Sequence, residues 1–394
     1  YALSFPRLLR LGYGALEQLP EVLGALGVSR PLLVSDPAME SLGHVARVLG
    51  VLKDRGLAAQ VHTDTEPEPA DGSILRGVAV LAASGADGVV ALGGGSVIDS
   101  AKAMAVLAAG GGGIRDYAVP REVTLPRVPI IALPTTAGTG SEATRFTVIT
   151  EAASQEKLLC RGAAFLPDAA LIDPSFTLSA PPRLTADTGL DALTHALEAY
   201  VSKLANPVSD TFARAAMTRI AAHLERAYED GSDQEAREAM MLGAFEAGLA
   251  FSNASVALVH GMSRPVGALF HVPHGLSNAM LLPTVTAFSR EAALERYGEA
   301  AVLMGWADAG ASAEAQSQAL IEGLSALNQR LAVVPEVAAP RAGVRVEALD
   351  ARRLGVRRSV NGVTSTTSGS SRASSSSSSP RLLRVAIARA FAAA

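Results

Sequence analysis

Short apolar runs alternate with longer amphipathic stretches through the first 180 residues of the chain. Pro31–Asp36, Ala58–His62, Gly88–Gly93, Val128–Pro134 and Ala169–Asp173 each hold a few consecutive aliphatic residues and end on a polar residue or a turn former. Runs of that length and texture predict strands buried on both faces of a parallel sheet. Between them, Met39–Arg55 and Asp71–Gly85 repeat apolar residues at helical spacing. Strand–helix alternation of this kind predicts an α/β, Rossmann-like domain.

The texture changes after Pro181 and Pro182. From Arg183 to about Leu331 the chain is rich in Ala, Leu and Glu at helical periodicity, with no strand pattern. A helix is expected to start at Thr185–Asp187, and Asn206-Pro207 to turn into the next one. The division expected is an α/β dinucleotide-binding domain over residues 1–180, an all-α metal-binding domain over 181–338, and an atypical tail over 339–394. The tail includes an unbroken serine run, Ser374–Ser379, which cannot bury enough apolar area to fold alone.

Composition narrows the class. Hydrophobic residues make up 49% of the 394 and charged residues 18%, which describes a globular chain with a large core. No apolar run reaches the ~18–20 residues of a bilayer span. Tyr1–Arg7 has no charged segment leading into an apolar one, so no secretory signal is expected. The lone Cys160 fits a reducing compartment, and a cytoplasmic protein is the expectation. The net charge of −4 conceals an asymmetry: residues 351–394 carry eight Arg and no acid, leaving 26 basic against 38 acidic residues before them. An acidic body argues against a nucleic-acid enzyme.

Three segments suggest chemistry. Gly93-Gly94-Gly95-Ser96 follows a strand and opens a helix that continues through Asp99 and Lys102. Glycines there let backbone amides approach a diphosphate, although a ligand-free strand-to-helix turn would read alike. Leu133–Glu142 is a second loop of hydroxyls and glycines, including Thr135, Thr136 and Thr139. Asp36 ends a strand, where a carboxylate can accept from a ribose hydroxyl and repel a 2′-phosphate, or can simply cap a helix.

The third segment set is a constellation. Asp191 and His195 stand four apart, and His260 and His274 follow thirteen intervening residues apart. An i, i+4 pair shares one helix face, so a carboxylate and an imidazole can meet one cation there. One oxygen and three nitrogens suit a divalent transition metal, iron or zinc.

Gly93–Lys102, Leu133–Glu142, Asp191–Tyr200 and His260–Pro283 together resemble the signatures of the iron-containing (group III) alcohol dehydrogenases, in order and spacing, from about Phe5 to Val334. The resemblance implies a dehydroquinate synthase-like fold and hydride transfer between a primary or small alcohol and NAD. It implies a metal, Fe(2+) or Zn(2+), on Asp191, His195, His260 and His274. It places Asp36, Gly94, Gly95, Ser96, Asp99, Thr135, Thr136, Thr139 and Lys157 at the cofactor. A small alcohol or aldehyde is the expected partner, in a homo-oligomer, with neither nucleic acid nor membrane.

Three departures accompany it. Many members carry a second histidine four residues after the third ligand, where this chain has Arg264, a permanent cation that cannot serve as a base. Arg264 and His271 are therefore the candidate catalytic residues. Glu68 stands where some members have an asparagine. Beyond about Ala338 the chain turns to Arg, Ser and Ala, as a shifted reading frame in a GC-rich gene would. Two alternatives follow from these departures. One is a related reductase of an anionic substrate, of maleylacetate, hydroxyacid–oxoacid or phosphonate-aldehyde type. The other is a non-catalytic paralogue that binds NAD and metal.

Overall fold

The computed structural model describes residues 1–270 and 272–333, apart from the side chains of Ala268 and Leu269; the expected tail and His271 lie outside the described residues. Eight strands form: β1 (Leu8–Leu11), β2 (Pro31–Val34), β3 (Gln60–His62), β4 (Gly88–Gly93), β5 (Ile130–Pro134), β6 (Phe146–Glu151), β7 (Glu156–Arg161) and β8 (Ala169–Ile172). Six of them make one parallel sheet in the order β1-β8-β5-β4-β2-β3, while β6 and β7 pair as an antiparallel hairpin.

The central strands explain their own composition. In β4, Val89 and Ala91 point into one core and Val90 and Leu92 into the core on the opposite face. Because helices cover both faces, the strand is apolar throughout instead of alternating. Complete burial of one such aliphatic side chain contributes about 1.5–3 kcal/mol. The sheet helices are α1 (Leu19–Ala25), α2 (Pro37–Ser41), α3 (His44–Lys53), α4 (Asp71–Ser84) and α5 (Gly95–Gly110). The single helix expected over Met39–Arg55 is two, because Gly43 takes φ +78° between α2 and α3. Such left-handed backbone suits glycine and stops a right-handed helix.

Seven helices follow: α6 (Pro182–Val201), α7 (Pro207–Glu229), α8 (Gln234–Ala254), α9 (Leu258–Phe270), α10 (His274–Ser289), α11 (Leu294–Leu303) and α12 (Ala313–Arg330). Among the described residues no strand lies in this part. α6 begins at Pro182, earlier than the Thr185 start expected, because proline's fixed φ is preorganised for a first helical position. At the head of α7, Asn206 Oδ1 accepts from the amide of Ser209, and Ser209 Oγ accepts from the amide of Asn206.

The two parts meet along α8. Met241, Phe245 and Leu249 pack against Ala143, Ala170 and Ile172 of the sheet side. The backbones touch at Gly140 and Gly248, where a Cβ on Gly140 would fall 2.6 Å from the Gly248 Cα. No single described helix is long and apolar enough to cross a membrane. α8 and the start of α9 meet that test only as a pair bent by 103°, and α8 is largely buried in the protein.

Candidate metal and cofactor site

Chain reversal sets the place. From β2 the chain runs outward to β3, then crosses back to β4 on the other side of β2. Ligands bind at the carboxyl ends of strands beside such a switch point. The carboxyl end of β4 carries Gly93–Ser96, and that of β2 carries Asp36.

Gly94 is the extended N-cap of α5, and Gly95 and Ser96 are its first residues, so their amides open the helix. A Cβ on Gly95 would lie 2.7 Å from the Thr139 methyl, and one on Gly94 3.4 Å from Thr136. Absence of a side chain thus lets the two loops close on each other. Ser96 Oγ donates to the carbonyl of Pro67. Asp99 is tied rather than free: its carboxylate accepts from Ser141 Oγ at 2.5 Å and from the Val148 amide at 2.9 Å.

Beneath this loop pair lies a buried cation. Lys102 is wholly enclosed, and its Nζ donates to Ser141 Oγ (2.7 Å), Thr144 Oγ1 (3.2 Å) and the Phe146 carbonyl (2.8 Å). Burial lowers its pKa to about 8, with Asp99 and Glu142 opposing. Burial likewise raises the Glu142 carboxyl to about 7.

Thr135 is buried, and its hydroxyl has no hydrogen-bond partner. Thr136 faces a small side pocket beside Thr188 and Arg237 rather than the main cavity. Asp36 caps α2, its Oδ1 accepting from the Met39 amide at 2.9 Å, and it does not line the main cavity. Lys157 does line it, paired with Glu68 at 2.8 Å.

The expected ligand set converges in the wall of the same cavity, whose volume is about 270 Å³. One ligand atom each from Asp191, His195, His260 and His274 lies within 4.8 Å of every other. Asp191 Oδ1 is 3.8 Å from His195 Nδ1, 3.7 Å from His260 Nε2 and 3.8 Å from His274 Nε2. At metal–ligand bonds of about 2.0–2.2 Å, tetrahedral ligands stand ~3.4 Å apart, so the three Asp191 pairs lie within a few tenths of an ångström of that spacing, and the widest pair would close by more. His195 Nδ1 is buried with no hydrogen-bond partner, an atom whose need a cation would meet.

Charge follows from enclosure. Burial pushes His195 down to about 3 against the pull of Asp191, and burial with the neighbouring positive groups pushes His274 down to about 4. Burial alone would raise Asp191, but the neighbouring imidazoles overcome it and hold the carboxyl low. His260 is held up despite burial, by the neighbouring Asp191 carboxylate and by its hydrogen bond to Glu198. Neutral His195 and His274 beside an ionised Asp191 are the donor forms a divalent ion requires, and a bound ion would have to displace the proton that His260 favours.

Three supporting residues escaped the sequence reading. Glu198 stands seven after Asp191 on the same face of α6; its carboxylate accepts from His260 Nδ1 at 2.6 Å and from the Val259 amide at 2.5 Å. Asn278, four after His274, donates from Nδ2 to Asp191 Oδ1 at 2.7 Å and lies 3.1 and 3.3 Å from Nε2 of His260 and His274. Phe251 stacks on the His195 ring with centroids 4.3 Å apart. Helical spacing pointed to the first two; only the fold brings in Phe251.

Comparison with known proteins agrees with this geometry. Residues 6–174 match the family model described as iron-containing alcohol dehydrogenase, and residues 185–351 match the C-terminal model of the same family. The chain is 38% identical over 323 residues to an NAD-dependent methanol dehydrogenase of Bacillus methanolicus, covering 82% of this chain and 85% of that one. It is 36% identical over 334 residues to an NADPH-dependent butanol dehydrogenase of Clostridium saccharobutylicum, covering 84% of each. A crystal structure of 1,3-propanediol oxidoreductase superposes with a TM-score of 0.85 at 32% identity, over 99% of this chain and all of that one. The chain belongs to the iron-containing alcohol dehydrogenases. It is an oxidoreductase that moves hydride between an alcohol and NAD, with a metal-dependent site.

Proposed function

We propose that the chain interconverts a small primary alcohol and its aldehyde, with the metal on Asp191, His195, His260 and His274 and the cofactor diphosphate over Gly94, Gly95 and Ser96. One observation carries this reading: the four-ligand cluster and the residues opening α5, Gly95 and Ser96, line one cavity. The metal, when bound, supplies Lewis acidity toward the substrate oxygen, and NAD accepts or returns the hydride.

The chain's residues do the arranging. Glu198 orients His260, so that Nε2 faces the ligand cluster. Phe251 and Val256 give the cavity apolar walls that keep water from the reacting carbon. Thr139 and Ser141 edge the cofactor side, and Lys102 fixes Ser141 from below. Asp36 is proposed to favour NAD over NADP through the negative charge it holds at the β2 end.

The metal-binding part is proposed to begin near residue 181, where the last sheet strand has given way to α6. A cytoplasmic location is proposed on the lone, buried Cys160. Homo-oligomerisation is proposed on the open edge of the sheet at β1, with Leu11 and Tyr13 exposed beside it; sedimentation velocity would show a species above one chain mass.

The test of hydride transfer is isotopic. With ethanol deuterated at the carbinol carbon, one deuterium should appear in NADH and one remain in acetaldehyde. Reduced cofactor without label would overturn the reading.

A further inference from the structure

Along α9, His260, Arg264 and Gly267 fall at i, i+4 and i+7, and all three line the cavity. The helix therefore presents, in order, a ligand imidazole, a guanidinium one turn on, and bare backbone one turn beyond. A Cβ on Gly267 would meet the Val272 carbonyl at 3.5 Å and Lys157 Nζ at 3.6 Å.

Of the two cations on this wall, Lys157 is already neutralised by Glu68 at 2.8 Å. Arg264 makes no hydrogen bond or ion pair to any described residue, and only the charge of Glu198, without contact, offsets its burial. Other acids near the cavity are committed: Asp99 to Ser141 and Val148, and Glu198 to His260 and Val259. Arg264 is half-buried and lines the cavity together with the ligand residues His260 and His274. A guanidinium in a confined, partly apolar cavity with its donors unspent is costly unless something anionic meets it.

We propose that Arg264 anchors an anionic end of the substrate, so that the preferred aldehyde carries a carboxylate, sulfonate or phosphonate group. This rests on the dehydrogenase reading of the same site. Helix neighbours four apart have Cβ atoms about 5–6 Å apart. An anion on Arg264 would therefore share one cavity with the His260 end of the site, within reach of a short bifunctional substrate. The reaction stays balanced: the carbonyl carbon gains hydride from NADH, its oxygen gains one proton, and NAD and the hydroxy acid leave.

The test compares sulfoacetaldehyde and succinate semialdehyde with propanal and pentanal, using NADH oxidation by metal-loaded protein. The anionic aldehydes should show kcat/KM at least tenfold above their neutral counterparts. In Arg264→Gln the anionic-to-neutral ratio should fall at least about thirtyfold, as for other enclosed charge pairs, and Arg264→Lys should retain part of it. Metal content of both variants is measured alongside, and the lysine variant carries the test if the glutamine variant does not fold. Neutral aldehydes reduced as well as anionic ones, or a ratio indifferent to Arg264, would overturn the proposal while leaving the dehydrogenase reading intact. No reduction of any aldehyde by metal-loaded protein would overturn both.

Discussion

Glu198 holds His260 by its Nδ1 at 2.6 Å, and both belong to helices that cross at the ligand cluster. With Nδ1–H committed to the carboxylate, Nε2 is the nitrogen left facing Asp191, 3.7 Å away. With a metal on His260 this would make a carboxylate–histidine–metal arrangement, in which the outer group fixes the tautomer of the inner one.

Removing that carboxylate should loosen the metal without removing a ligand. Glu198→Gln is expected to weaken metal affinity by about 10–100-fold, read by chelator competition. An unchanged affinity would mean that packing alone orients His260.

The cofactor end depends on the Gly95–Thr139 approach. Gly95→Ala puts a methyl 2.7 Å from the Thr139 Cγ2 and must separate the loops. NADH binding, followed by fluorescence, should weaken at least tenfold, about 1.4 kcal/mol, while metal content stays at the wild-type level. Loss of both together would show that the helical part depends on this loop as well.

Asp36 combines a cap with the proposed cofactor choice, and the two separate experimentally. Asp36→Ala should cost about 1 kcal/mol of stability through loss of the Met39 bond. Independently, it should raise the NADPH-to-NADH ratio of kcat/KM. A stability loss with no change in that ratio would leave Asp36 as a cap only.

Buried Glu142 gives a pH signature. Its carboxyl titrates near 7 in the folded chain, raised by burial from 4.5. Between those values the folded state binds the proton that the unfolded state has lost, so this group makes stability fall as pH rises from about 4.5 to 7. Glu142→Gln removes the ionisation. Its unfolding free energy relative to wild type, from denaturant titrations, should climb across that window and level off above it, by an amount on the order of 3 kcal/mol. A difference flat with pH would contradict the assignment.

Sequence patterning and structure agree where the signal is local. The strand ending at Gly93 and the helix opening at Gly95 are legible because burial on both faces makes a continuous apolar run and glycines punctuate it. Asp191 and His195 are legible because one helix carries both. By the same reasoning Glu198, seven residues on, stood in plain view. The β6–β7 hairpin was not read: its turn has no glycine, and Gln155 supplies the positive φ of 57° instead. Nor could spacing show that Lys102 reaches Ser141, thirty-nine residues away, since that contact exists only after β5 lies beside β4. Arg264 was visible as a departure from the family pattern, but its lack of a partner is a property of the folded cavity.

The central claim is that the four-ligand cluster holds the metal on which hydride transfer depends. Protein stripped of metal and reloaded anaerobically with Fe(II) or Zn(II) would be assayed for NADH oxidation with short aldehydes, beside His260→Ala treated alike. The account predicts that turnover returns in step with bound metal, at one ion per chain, and that the variant recovers neither. Equal turnover before and after reloading, or a His260→Ala protein as active as wild type, would contradict it.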